Sequence, residues 1–199
     1  MTSFRTHNCG ELTLNDVDKE VKICGFVETI RDLGGLVFLD IRDMYGITQA
    51  VTSGKEDIVD FSSRIPIESS VCVEGTVRKR DPETYNPNIS TGEVEVVIKN
   101  ITVLGKRTKM LPFEVNKEQD VREDLRLKYR FLDLRSFKLQ QNLILRAKVL
   151  QFLRSQMVEQ GFLEVQTPVL TSSSPEGARD YLVPSRLHPG KFYALPQAP

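Results

Sequence analysis

The chain contains no tryptophan and only two histidines, His7 and His188, at opposite ends of its 199 residues. That excludes a paired-histidine metal site. Its three cysteines, Cys9, Cys24 and Cys72, show no Cys-x-x-Cys spacing, so neither a four-ligand zinc site nor a disulfide framework is offered, and they read as reduced packing residues. No apolar run approaches the ~18 residues of a membrane-spanning helix. Residues 1–11 are polar, with neither a signal-peptide core nor an Arg-rich leader, and the expectation is a cytoplasmic protein with no membrane partner. A Gly-rich phosphate loop with its lysine and a nucleophile elbow are also missing. There is no net charge either, with 27 Lys and Arg against 27 Asp and Glu, so bulk charge does not announce a nucleic-acid binder. The signs are unevenly spread, however. Residues 1–105 carry 11 basic against 17 acidic side chains and residues 106–199 carry 16 against 10, so any nucleic-acid site in the first half must be a local patch.

What is present, 40% hydrophobic residues, suffices to bury a core in one or two domains. Two-residue alternation predicts five short strands over 21–31, 36–42, 47–51, 70–80 and 93–104. Leu33-Gly34-Gly35 closes the first hairpin and Tyr45-Gly46 the second. A short helix is expected within 53–68, and five strands with a helix after the third are the order of an OB-fold barrel. Its fourth-to-fifth connection, 81–91, is long and rich in Pro and Asn. Residues 106–120 read as a polar linker. A longer helix follows over about 136–160, with Leu139, Leu143, Ala147, Leu150, Leu153 and Met157 on one stripe and Gly161 placed to end it. Residues 162–165 and 191–195 look strand-like. The expected division is 1–105, an all-β barrel; 106–120, a linker; and 121–199, the start of an α+β domain with helices on an antiparallel sheet.

Val37, Leu39 and Ile41 form the apolar face of the second strand, which turns Leu36, Phe38, Asp40 and Arg42 outward. An outward aromatic on such a barrel is a platform for a stacked base; the other reading is a ring capping the core. On the fourth strand Thr76, Arg78 and Arg80 face out, and the two arginines suit phosphate contacts. Glu93 and Glu95 share that surface. A carboxylate beside phosphate-binding arginines either reads the two-donor edge of an unpaired guanine or forms an ordinary ion pair. Gln49 alternates with Ile47 and Val51, so periodicity does not place it on the outer face. In the second half, Ser174 to Arg186 gathers Glu176, Arg179, Asp180 and Arg186 among small residues, which suits a ligand-gripping loop. No complete catalytic set is present.

Four stretches taken together, Arg5-Thr-His-Asn-Cys-Gly-Glu11, Arg31-Asp-Leu-Gly-Gly-Leu-Val-Phe-Leu-Asp-Ile-Arg-Asp43, Arg126-Leu-Lys-Tyr-Arg-Phe-Leu-Asp-Leu-Arg135 and Pro175-Glu-Gly-Ala-Arg-Asp-Tyr-Leu-Val-Pro-Ser-Arg186, resemble the bacterial-type aspartyl-tRNA synthetases over the whole chain. Gly161-Phe-Leu-Glu-Val-Gln-Thr-Pro-Val-Leu170 is similar to the first signature motif of the class II enzymes, a dimer-interface element, with Pro168 at its proline. The resemblance implies an N-terminal OB domain that grips the tRNA anticodon through the positions of Arg31, Phe38, Gln49, Arg78 and Glu95. Phe38 would stack on the middle base, Arg31 and Gln49 would hold that base and its neighbours, and Glu95 would read the guanine that begins the aspartate anticodon. Glu176 matches the loop glutamate that closes over the amino group of bound L-aspartate. Leu33 is associated with strict charging of the aspartate tRNA.

The implied reaction joins L-aspartate to ATP, with Mg2+, and passes the aspartyl group to the 3′ end of tRNA(Asp) in a homodimeric enzyme. The sequence stops before that family's substrate lysine and its second- and third-motif arginines, and has Ala198 where serine is usual. The expectation is therefore a piece of a longer enzyme, inactive alone, with no metal or cofactor of its own; the alternative is a stand-alone truncated RNA-binding module. An asparaginyl-type relative and an oligomerising scaffold are weaker rivals. Open sheet edges and an uncovered apolar helix face are expected after residue 120.

Overall fold

The computed structural model describes residues 4–52, 54, 56–173 and 180–195, without the side chains of 118 and 119. By compactness the chain divides into two units, 1–142 and 143–199.

In the first unit the alternating segments form β1 (Glu20–Asp32), β2 (Val37–Arg42), β3 (Ile47–Thr52), β4 (Ser70–Lys79) and β5 (Val94–Gly105), with α1 (Glu56–Ser63) after β3. Each strand lies within two residues of its predicted bounds, while α1 fills only the middle of 53–68. The strands close into a barrel in the order β1-β2-β3-β5-β4, antiparallel except for the parallel β3–β5 pair. This is the OB-fold. Val37, Leu39 and Ile41 of β2, Val71, Val73 and Val77 of β4, and Val94, Val96 and Ile98 of β5 all point into the core and are buried. Each such side chain contributes roughly 1.5–3 kcal/mol of transfer free energy.

Closure depends on β1, which serves two neighbours: Glu20 to Phe26 pair with β4, and Phe26 to Asp32 pair with β2. A bulge between Val27 and Thr29 bends it. Gly25 lets the strands meet at the corner, since a Cβ there would stand 2.5 Å from the Arg42 carbonyl oxygen. Gly75 does the same on β4, where a Cβ would meet the Val97 carbonyl oxygen at 2.1 Å.

The rest of this unit contains α2 (Glu123–Lys128), α3 (Arg130–Asp133) and the start of α4 (Phe137–Glu159). Residues 106–135 are fastened to the barrel. The Arg107 amide donates to Ser69 Oγ at 3.0 Å and its Nε to the Ile67 carbonyl at 2.9 Å. Arg135 pairs with Glu68 at 2.9 Å and lies 3.9 Å from the centre of the Phe26 ring. Glu68 also takes the guanidinium of Arg42. Arg42, expected outward beside Phe38, is therefore buried at 6% exposure on a stretch of outer wall that this segment covers.

In the second unit, α4 ends at Gly161, whose φ of 88° and amide bond to the Val158 carbonyl (2.9 Å), with the Phe162 amide on the Met157 carbonyl (3.0 Å), make a left-handed cap. The expected single apolar stripe is not what the helix presents: Leu145, Val149, Phe152 and Val158 are exposed along with Leu143, Leu150, Leu153 and Met157, and no residue of α4 is buried. Residues 162–165, expected to be strand-like, form no strand. Instead β6 (Tyr181–Pro184), in a segment read as loop, pairs antiparallel with β7 (Phe192–Leu195), within the predicted 191–195. Thr171 adds one bridge to Ala194, the only buried residue described in this unit.

Candidate nucleic-acid interface

Barrel register assembles the site. Arg31 on β1 stands opposite Phe38 on β2, Asp40 opposite Gln49 on β3, and Arg78 on β4 opposite Glu95 on β5. The parallel pairing of Ala50 with Val96 sets Gln49 beside Glu95. A hydrogen-bonded chain follows. Arg31 Nη2 donates to Gln49 Oε1 at 2.9 Å, Gln49 Nε2 donates to Glu95 Oε2 at 2.8 Å, and Arg78 donates to Glu95 Oε1 from Nε at 3.1 Å and from Nη2 at 2.6 Å. The amide of Gln49 thus turns its acceptor to a cation and its donor to an anion, which fixes its orientation. The Arg31 guanidinium carbon lies 5.9 Å from the centre of the Phe38 ring.

Phe38 is half-buried and outside the core cluster, so the core-capping reading fails. Gln49, which periodicity left unplaced, belongs to the same wall as the other four, yet is only 3% exposed because Arg31 and Glu95 close over it. Glu95 corrects a simple expectation: alternation turns it outward as a surface acid, but Arg78 and Gln49 leave it 6% exposed. The ion pair exists, with the Arg78 arm 58% exposed over a carboxylate at 8%. A carboxylate has about four lone-pair sites, and three donors occupy them here.

Two further residues join the set: Asp40, which the sequence left without a role, and Arg80, expected as a phosphate contact. Asp40 accepts from Thr29 Oγ1 and sits 3.3 Å from Arg31 Nη2, so it holds that arginine in place. Its position between Phe38 and Arg42 on the outer face was the available signal. Arg80 lines the same cleft, of about 370 Å³, with Phe38, Gln49, Arg78, Thr84 and Glu95. Its Nε and Nη1 are buried without a hydrogen-bond partner among the described residues. Buried unpaired guanidinium nitrogens are costly and mark a place for an acceptor, a phosphate oxygen or a base carbonyl.

Pro168 is exposed on an irregular segment. Glu176, Arg179 and Ala198 lie outside the described residues. Among the described residues there is no group of three or more His, Cys, Asp or Glu that could hold a metal ion.

Residues 21–104 match the family model for an OB-fold nucleic-acid-binding domain, and residues 122–199 that of the class II tRNA synthetases for D, K and N. An aspartate–tRNA(Asp/Asn) ligase of Phenylobacterium zucineum is 52% identical over the whole chain, and one of Orientia tsutsugamushi 55%. The chain spans 33% of the length of each. Among solved structures, a putative aspartyl-tRNA synthetase from Leishmania major aligns over all of the chain and 40% of its own length, at 26% identity and a TM-score of 0.84. The asparaginyl-tRNA synthetase of Pyrococcus horikoshii with asparaginyl-adenylate aligns over 96% of the chain and 42% of its own, at 26% and 0.82. With both of its halves matched in this order, the chain is similar over its whole length to the aspartate–tRNA ligases, and its residues 122–199 belong to the class II tRNA synthetases of the D, K and N group.

Proposed function

We propose that this chain is the anticodon-reading part, with the opening of the catalytic region, of an ATP-dependent enzyme that activates L-aspartate and transfers it to tRNA(Asp). In this reading residues 1–105 bind the anticodon, 106–120 are the linker and 121–199 begin the catalytic domain. The observation that carries it is the unbroken chain Arg31–Gln49–Glu95–Arg78 beside a half-buried Phe38. A ring, two guanidinium groups and one acid facing the same way are what unpaired bases require.

The closed ion pair explains how reading works. The two N–H donors that Arg78 offers to Glu95 have the count of those on the edge of guanine, so guanine replaces them while the exposed Arg78 arm turns to the backbone phosphate. The swap keeps the buried carboxylate satisfied throughout, and a base with an acceptor at that edge leaves it facing a lone pair. Phe38 supplies sequence-independent stacking, Asp40 holds Arg31, and Arg80 offers its free N–H groups to an oxygen of the strand.

For the second half, the reading takes Glu176 as the residue over the amino group of L-aspartate and Pro168 as part of a homodimer interface; the wide exposure of apolar side chains on α4 supports a partner there. A second reading, that the whole enzyme also charges tRNA(Asn), is favoured by the names of the relatives, whereas Leu33 leans to the strict reading by resemblance only.

Titrating the chain with an anticodon stem-loop of tRNA(Asp) tests the proposal. Phe38→Ala is expected to weaken binding by roughly 1–3 kcal/mol, about 5- to 150-fold, for matched and altered loops alike. Unchanged affinity in a folded Phe38→Ala variant would remove the stacking platform and the proposal with it.

A further inference from the structure

Cys24 on β1 and Cys72 on β4 stand directly opposite each other in the barrel ladder, and their Sγ atoms are 3.0 Å apart. Both are free. Alternation explains why they share a face: Ile23, Val71 and Val73 point into the core, so Cys24 and Cys72 point outward. Directly paired residues of antiparallel strands have Cα atoms about 4.5–5.5 Å apart, inside the roughly 4.4–6.8 Å that a disulfide spans, so a bond closes without parting the strands.

The surroundings distinguish the two sulfurs. Cys24 is half-buried and its thiol donates to the Phe4 carbonyl at 3.0 Å; Cys72, 4% exposed, lies 3.6 Å from the same oxygen. The neighbouring pair on this face is Lys22 and Glu74, joined at 2.6 Å. Burial, with the Cys24 sulfur beside it, pushes the Cys72 thiol up to about 12, so Cys72 stays protonated at neutral pH and Cys24 is the sulfur that meets a reagent first. Cys9 is fully buried, with its thiol turned to the Cys24 carbonyl at 3.7 Å.

We propose that Cys24 and Cys72 are a redox-modification site, which a low-molecular-weight disulfide such as glutathione disulfide converts to a cross-strand disulfide and excess thiol restores. The Cys24 thiolate attacks one sulfur of the reagent, breaking its S–S bond and releasing one thiolate. Cys72 then loses its proton to solvent and attacks the Cys24 sulfur, releasing the second. The net change is two protein thiols and one reagent disulfide giving one protein disulfide and two reagent thiols. The product staples the β1–β4 seam and removes both S–H groups that face the Phe4 carbonyl.

The test is to treat the folded chain with glutathione disulfide, quench in acid, count thiols and map peptides. Two of the three thiols should disappear, in one crosslink between the peptides of Cys24 and Cys72, with Cys9 free and full recovery in dithiothreitol. The oxidised chain should melt on the order of 5 °C or more higher. Cys72→Ser should stop at a glutathione adduct on Cys24, and Cys24→Ser should leave Cys72 unmodified. A folded chain that keeps all three thiols, carries adducts without the crosslink, or crosslinks through Cys9 or between two chains would overturn the proposal.

Discussion

The barrel and the 143–195 region use the same kinds of residue to opposite ends. In the barrel, apolar side chains alternate with polar ones and the sheet closes on itself, so every inward valine finds partners from other strands. In α4 the apolar side chains lie on several sides of the helix and none is buried. Hydrophobic residues stabilise only where topology brings them a partner, and a closed sheet provides one internally, whereas a lone helix beside a two-stranded sheet does not. The cleft lined by Phe38, Gln49, Arg78, Arg80 and Glu95 sits on the region whose core closes on itself.

The strongest contrast should appear in hydrogen exchange. Amides of β1 to β5 are expected to be protected by roughly three orders of magnitude more than those of residues 143–173, as global and local opening would dictate. Equal protection would break the comparison. Next come paired truncations: Leu39→Ala, at a fully buried position, should cost about 3–4 kcal/mol of unfolding free energy, and Leu150→Ala, 45% exposed, less than about 0.5 kcal/mol, both read from urea midpoints.

A smaller effect sharpens the electrostatic side. Burial raises the Glu28 carboxyl above its usual 4.5, although Arg42 beside it and the Asn116 amide act the other way, and its Oε2 has no hydrogen-bond partner among the described residues. A carboxyl held above its unfolded value binds its proton more tightly in the native state. Its contribution is therefore present below 4.5 and is lost as pH rises through the folded value. Glu28→Gln removes that loss, so the stability of the variant relative to wild type should increase from pH 4 to pH 7, by under about 1 kcal/mol. A constant difference across that range would contradict the assignment.

The contrast also accounts for what was legible in the sequence. Strand alternation revealed the barrel and the faces of Phe38, Arg78 and Glu95 because a period of two states directly which side of a sheet a residue occupies. It could not give the burial of Gln49 and Glu95, which comes from cross-strand bonds set by register. The meeting of Cys24 with Cys72 was hidden for the same reason: only closure pairs β1 with β4. Residues 181–184 were read as loop because short strands need a neighbour, here β7, more than an internal pattern. The resemblance singled out Gln49, which periodicity alone left open, whereas alternation offered Arg80 as a phosphate contact but could not show its orphaned nitrogens.

The most direct measurement is the discrimination of guanine from adenine at the first anticodon position, by stem-loop titration of wild type and Glu95→Gln at fixed salt. The account predicts that wild type favours guanine by roughly tenfold or more, in line with about 1–3 kcal/mol per specific contact, and that Glu95→Gln erases the preference while still binding both loops. Undiminished preference for guanine in a folded Glu95→Gln chain would contradict it.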